Sequence, residues 1–113
     1  MSSLKITFNG TDYVLQFSRK TVKEMESRGY HNTGDALLNA PVSSFEALFS
    51  GAFLMHQPRM KEEDKRAIWK GLSNKDDLVE ALVKLYQEPL ESFMDDPDEN
   101  VKKATWVMVD EKK

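Results

Sequence analysis

Apolar residues recur at every second position over the first part of the chain. Leu4, Ile6 and Phe8 are separated by Lys5 and Thr7, and after Asn9-Gly10 the apolar residues resume at Tyr13, Leu15 and Phe17. A period of two places each set on one face of a strand. Asn-Gly supplies the two positive-φ residues of a type I′ turn. A two-residue turn sets Phe8 against Thr11, Ile6 against Tyr13 and Leu4 against Leu15, so both apolar sets share one face. Such a ribbon is marginal alone and needs a cover on that face.

The period then lengthens to that of helices. Ser18 is a suitable N-cap and Gly29 a suitable C′ residue for a helix over 19–28 with Val22 and Met25 inward. Residues 30–41 are turn-rich, with one helical turn predicted around 36–38 and a stop at Pro41. Ser43 and Glu46 have capping-box spacing, which predicts a helix from there to about His56. Its broad apolar face carries Phe45, Leu48, Phe49, Ala52, Phe53 and Met55. Its opposite face (Ala47, Ser50, Gly51, Leu54) is small and nearly uncharged, so the helix is expected to be packed on both sides, within the domain or by another subunit. A charged helix is predicted over 61–70, closed by Gly71. A further helix, capped by Ser73 or Asn74, is predicted over 75–87, with Leu78, Ala81, Leu82, Leu85 and Tyr86 inward. Pro89 is expected to end it, because proline lacks the N–H and clashes with the preceding turn; Leu90, Phe93 and Met94 then form a short turn at a changed angle. Asp95, Asp96, Asp98 and Glu99 around Pro97 read as a solvated linker. Residues 104–109, with Trp106 and Met108, read either as a short strand or as a tail that orders on a partner. The expected fold is α+β: an N-terminal β-hairpin packed against a bundle of about four helices over residues 1–96, followed by an acidic linker and tail over 97–113.

Composition narrows the function. The 113 residues suffice for one domain. With 16 basic and 19 acidic side chains the net charge is −3, which speaks against nucleic acid as the main partner. The nearest approach to a basic face, Lys61, Lys65, Arg66 and Lys70, is interleaved with Glu62, Glu63 and Asp64 and reads as solvated helix surface. The chain has no cysteine, which excludes disulfides, thiolate catalysis and cysteine-bound zinc. No apolar leader or membrane-length stretch is evident, so a cytoplasmic location is expected.

Catalytic signatures are missing. His31 and His56 have no ligand-spaced partners, and neither a phosphate-binding glycine loop nor a nucleophile elbow occurs. Counted from Asp95, the glycine and glutamate of a calcium loop would fall on Asn100 and Trp106, so that motif fails too. No enzyme activity, cofactor or metal is expected. Six methionines suit an adaptable binding surface, and Phe49, Phe53, Leu54, Met55 and Trp106 are the candidate partner-binding residues.

Three strings, Lys5-Ile6-Thr7-Phe8-Asn9-Gly10-Thr11, Gly51-Ala52-Phe53-Leu54-Met55-His56 and Glu88-Pro89-Leu90-Glu91-Ser92-Phe93-Met94-Asp95, in this order of segments, resemble the tail assembly chaperones of siphophages and prophages of Gram-positive bacteria. The resemblance covers most of residues 4–96 and carries no catalytic residues. It implies a self-associating, largely helical protein that binds the tape-measure protein, with tail tube subunits as a second partner, during tail morphogenesis. From charge and hydropathy, no nucleic-acid or membrane partner is expected. A structural tail component retained in the virion, and a small prophage regulatory protein that binds a host protein, are the alternatives.

Overall fold

A computed structural model describes residues 2–30 and 39–109. Two strands, β1 (Leu4–Phe8) and β2 (Thr11–Leu15), form the N-terminal hairpin. Among the described residues, four helices follow: α1 (Arg19–Ser27), α2 (Pro41–Ala52), α3 (Glu62–Gly71) and α4 (Lys75–Phe93). The fold is α+β, as the sequence indicates. The predicted turn around 36–38 and His31 lie outside the described residues.

The hairpin register is the predicted one: Leu4 pairs with Leu15, Ile6 with Tyr13 and Phe8 with Thr11. Asn9 and Gly10 have φ of 50° and 77°, the left-handed pair that a type I′ turn requires. The ribbon's other face carries Lys5, Thr7 and Asp12 with Val14; the Thr7 hydroxyl donates to Asp12 Oδ1 at 2.6 Å. Ile6, Leu15 and Phe17 are buried under the helices.

Ser18 caps α1 by accepting from Thr21 N–H at 3.2 Å, while the Thr21 hydroxyl accepts from Ser18 N–H at 2.7 Å. Gly29 turns the chain out of the helix at a φ of 93°, a conformation that costs a side-chain-bearing residue strain.

Helix α2 begins and ends earlier than predicted. Pro41 does not close the preceding segment; it occupies the first turn of α2, and no side-chain hydrogen bond caps that end. Proline's fixed φ suits the first helical position, where its missing N–H is no loss. The Ser43–Glu46 capping box therefore does not form. At the other end the helix gives way to turns at Phe53, and Gln16 N–H reaches across to the Ala52 carbonyl at 3.0 Å, tying β2 to the end of α2. Both sides of α2 are packed within the domain. Gly51 lies so close to α1 that a Cβ there would stand 2.4 Å from Met25 Sδ.

Helix α4 does not end at Pro89. It runs 19 residues to Phe93 with the proline in its interior. Pro89 is fully buried on the same face as Leu82, Leu85 and Tyr86. Burial of that ring and of the residues around it offsets the lost backbone bond and the clash. Two aromatic groups fill the core. Phe17 and Tyr30 each meet the Tyr86 ring edge to face, with centroids 5.3 Å apart in both cases. Tyr13, Phe53, Phe49 and Trp69 form a second chain at 6.0, 5.1 and 5.0 Å.

Candidate partner-binding surface

The five residues singled out by the sequence are not brought together. Phe49 and Phe53 are core: Phe53 has no exposed surface and Phe49 almost none. They sit on the buried stripe of α2 and the turn after it, beneath β2 and α3, so they offer a partner no surface in this conformation. Leu54 is half-buried and packed against the core, so Leu54→Asp would change stability along with any binding. Met55 is partly exposed in the turn after α2. Trp106 is 86 % exposed.

Lys65, read from sequence as solvated, is also corrected. Its side chain is only 5 % exposed. The ammonium donates to the Ser50 carbonyl at 3.2 Å, to Ser50 Oγ at 3.0 Å and to Glu62 Oε1 at 3.3 Å, and lies 5.8 Å from the Phe53 ring centre. Three acceptors match the three protons of the ammonium. Ser50 Oγ in turn donates to Glu62 Oε1 at 2.7 Å. Partial burial alone would raise the Glu62 pKa, but the Ser50 hydrogen bond and the Lys65 charge outweigh it and hold the carboxyl below its usual value. The position of Lys65 follows from spacing: with Ile68, Trp69 and Leu72 it forms an i, i+3, i+4, i+7 row, so its stem lies over the core and its charge finds Ser50.

Most of the accessible apolar surface lies elsewhere, at the far end of α4 and beyond it, apart from Val42 and Met55. Past Pro89 the helix outruns the elements it packs on. Leu90 is partly exposed, Phe93 is 68 % exposed and Met94 78 %. Phe93 is held from one side by the Arg19 guanidinium, 5.6 Å from its ring centre, while Arg19 also donates to Ser92 Oγ at 3.2 Å. A local turn follows: Asn100 N–H donates to Asp98 Oδ1 at 2.9 Å, and Lys103 Nζ to the Asp98 carbonyl. Val101, Trp106, Val107, Met108 and Val109 are all exposed. Residues 102–109 form no strand, so of the two sequence readings of this stretch the strand is absent in the single chain. Sequence reading missed Phe93 and Met94 as surface residues because they were assigned to a separate turn; taken as a continuation of α4, their distance beyond the last buried residue, Pro89, is the signal.

Clefts flank this framework, among them one of about 450 Å³ between α1 and α2, lined by Met25, Ala47, Gly51 and Leu54. One of about 590 Å³ lies between the hairpin turn and α3, with Phe8, Tyr13, Arg59, Met60 and Asp64 in its walls. A smaller one of about 170 Å³ lies between α2 and α3 beside Lys65. Among the described residues no set of three or more His, Asp or Glu side chains is placed to hold a metal ion. His56 Nε2 pairs with Gln16 Oε1 at 2.8 Å. No helix of the described residues is long and apolar enough to cross a membrane.

A family model described as a domain of unknown function, DUF5055, matches residues 1–109. The chain belongs to the DUF5055 family. No curated protein and no solved structure matches it. The match takes in the hairpin, all four helices and the exposed residues 102–109, so this DUF5055 chain carries its apolar surface within the family's own span.

Proposed function

We propose that this protein is a tail assembly chaperone of the siphophage and prophage kind, which binds the tape-measure protein, and tail tube subunits with it, while the tail is built. The observation that carries the reading is the row of accessible apolar side chains from Leu90 through Phe93, Met94 and Val101 to Val109. Isolated exposed apolar residues are ordinary, but a succession of them marks a protein-binding surface. Phe93 and Met94 pair a rigid aromatic with an adaptable thioether, a combination that suits successive apolar faces along a long helical client. The acidic residues between them and Trp106 keep that surface in water. Many weak contacts of this type can be released as tube subunits displace the chaperone.

The test is co-expression with a tape-measure protein from the same tail gene cluster, followed by affinity capture and light scattering. The proposal expects a soluble complex that forms only when both are present, and no chaperone in purified virions. A tape-measure protein that aggregates regardless, or a stoichiometric place for this protein in the finished particle, contradicts it.

A further inference from the structure

Of the hairpin's two edges, β2 meets another element at Gln16, and β1 meets none along Lys5 and Thr7 among the described residues. In a two-residue hairpin the residues flanking the turn exchange hydrogen bonds, and bonded pairs alternate along the ladder. The bonded pairs are therefore Phe8–Thr11, Ile6–Tyr13 and Leu4–Leu15. Lys5 and Thr7 in β1, and Asp12, Val14 and Gln16 after and within β2, direct their N–H and C=O groups outward. At the β2 edge Gln16 meets the Ala52 carbonyl. At the β1 edge the outward backbone groups of Lys5 and Thr7 have no partner among the described residues, and both residues are exposed. An uncovered edge of this kind is a template for another strand.

The same molecule holds a segment with the composition of the missing strand. Residues 104–109 read Ala-Thr-Trp-Val-Met-Val, rich in β-formers, and they make no contact that fixes them. Their alternation places Ala104, Trp106 and Met108 on one face and Thr105, Val107 and Val109 on the other. Laid antiparallel with Trp106 beside Ile6, the first set prolongs the apolar face of Leu4, Ile6 and Phe8. The backbones of Thr105 and Val107 then meet the open groups of Thr7 and Lys5, and Thr105 stands opposite Thr7.

We propose that residues 104–109 of one copy add as an antiparallel third strand to the outer edge of β1 in a second copy, the exchange being reciprocal. Two observations favour a second copy over the segment's own hairpin. The segment stands away from its own domain: Trp106 is 86 % exposed, the molecule measures 65 Å along its longest axis, and its radius of gyration is 17.8 Å, against about 13 Å for a compact chain of this length. The area also fits a reciprocal exchange. Trp106 offers on the order of 200 Å² and the whole segment roughly twice that. One such contact is too small for a stable pair, while two, counted on both partners, reach the roughly 1,200–2,000 Å² of specific interfaces. This inference concerns the free protein and stands whichever client it binds.

Light scattering after gel filtration of the full chain, at high micromolar concentration, tests it with two variants. Thr7→Pro removes an outward N–H and leaves the β1–β2 bonds intact. Trp106→Asp alters a side chain that touches nothing in its own domain, so it leaves the fold unchanged and keeps the test decisive even if Thr7→Pro folds poorly. The expected wild-type mass is that of two chains. Each variant alone should dissociate roughly tenfold or more readily, because in a reciprocal exchange either substitution weakens both contacts of the pair. A single-chain mass for the wild type, or a two-chain mass that persists in Trp106→Asp, overturns the proposal.

Discussion

The Lys65–Glu62 pair allows a sharp stability test, because removing one partner and removing the charge altogether have different expected costs. Lys65 is buried and Glu62 is half in solvent. Glu62→Ala leaves the ammonium buried with only the two Ser50 acceptors, so one of its protons loses its partner and the charge loses its counter-ion. The neighbouring Phe53 face and the solvent at Glu62's side moderate the loss, which should come to about 1–2 kcal/mol. Lys65→Met keeps the volume and the apolar stem over Phe53 and removes the need for a counter-charge. It should cost less, within about 1 kcal/mol of wild type. In the Lys65→Met background, Glu62→Ala should then be nearly neutral, so the double-mutant cycle yields a coupling of about 1–2 kcal/mol. Urea unfolding followed by circular dichroism measures all four corners. The acid limb carries the same information. The Glu62 pKa is lowered in the folded state, so its contribution is present above the ordinary carboxyl range and is lost as pH falls through the folded value; Lys65→Met should flatten that loss. A cost above about 3 kcal/mol for Lys65→Met, with Glu62→Ala harmless in the wild type, would refute the reasoning.

Other outcomes follow from the core and from the exposed surface. Phe53→Ala removes a fully buried ring that meets Tyr13 and Phe49 and should cost about 3–5 kcal/mol in chemical denaturation. Burial, and then the neighbouring Tyr86, push Tyr30 up to about 12, while burial, and then Glu26, do the same for Tyr86. The unfolded chain therefore ionises these phenols first; stability is full below pH 10 and falls as pH rises towards 12, by roughly 1 kcal/mol per tyrosine at pH 11, measurable as a falling midpoint in urea. Phe93→Asp with Met94→Asp should weaken capture of the tape-measure protein at least tenfold while the thermal midpoint stays within a few degrees, because both side chains are mostly exposed.

Local signals in the sequence predict local structure well, and they fail where tertiary packing decides. The hairpin was legible because turn chemistry and alternation require the same register. The start of α1 was legible because Ser18 caps it just after the alternation that ends at Phe17. Pro89 misled because the rule against internal proline weighs only the backbone, and here the ring is buried against the core. Ser43 misled because Pro41 starts a helix as readily as it stops a segment. Lys65 was placed in solvent by its charge, although its spacing from Ile68 and Trp69 placed it inward. The candidate surface was half legible. Trp106 stood out after a polar linker, whereas Phe49 and Phe53 could not be separated from the core by composition, since core and binding faces use the same residues.

The most direct test of the central claim is whether the exposed row from Leu90 to Val109 holds a client. Hydrogen exchange on the full chain, with and without co-purified tape-measure protein, reads this residue by residue. The account predicts protection gained at residues 90–94 on complex formation, with the interior of α2 unchanged. A complex that leaves those residues as open to exchange as in the free protein would contradict it.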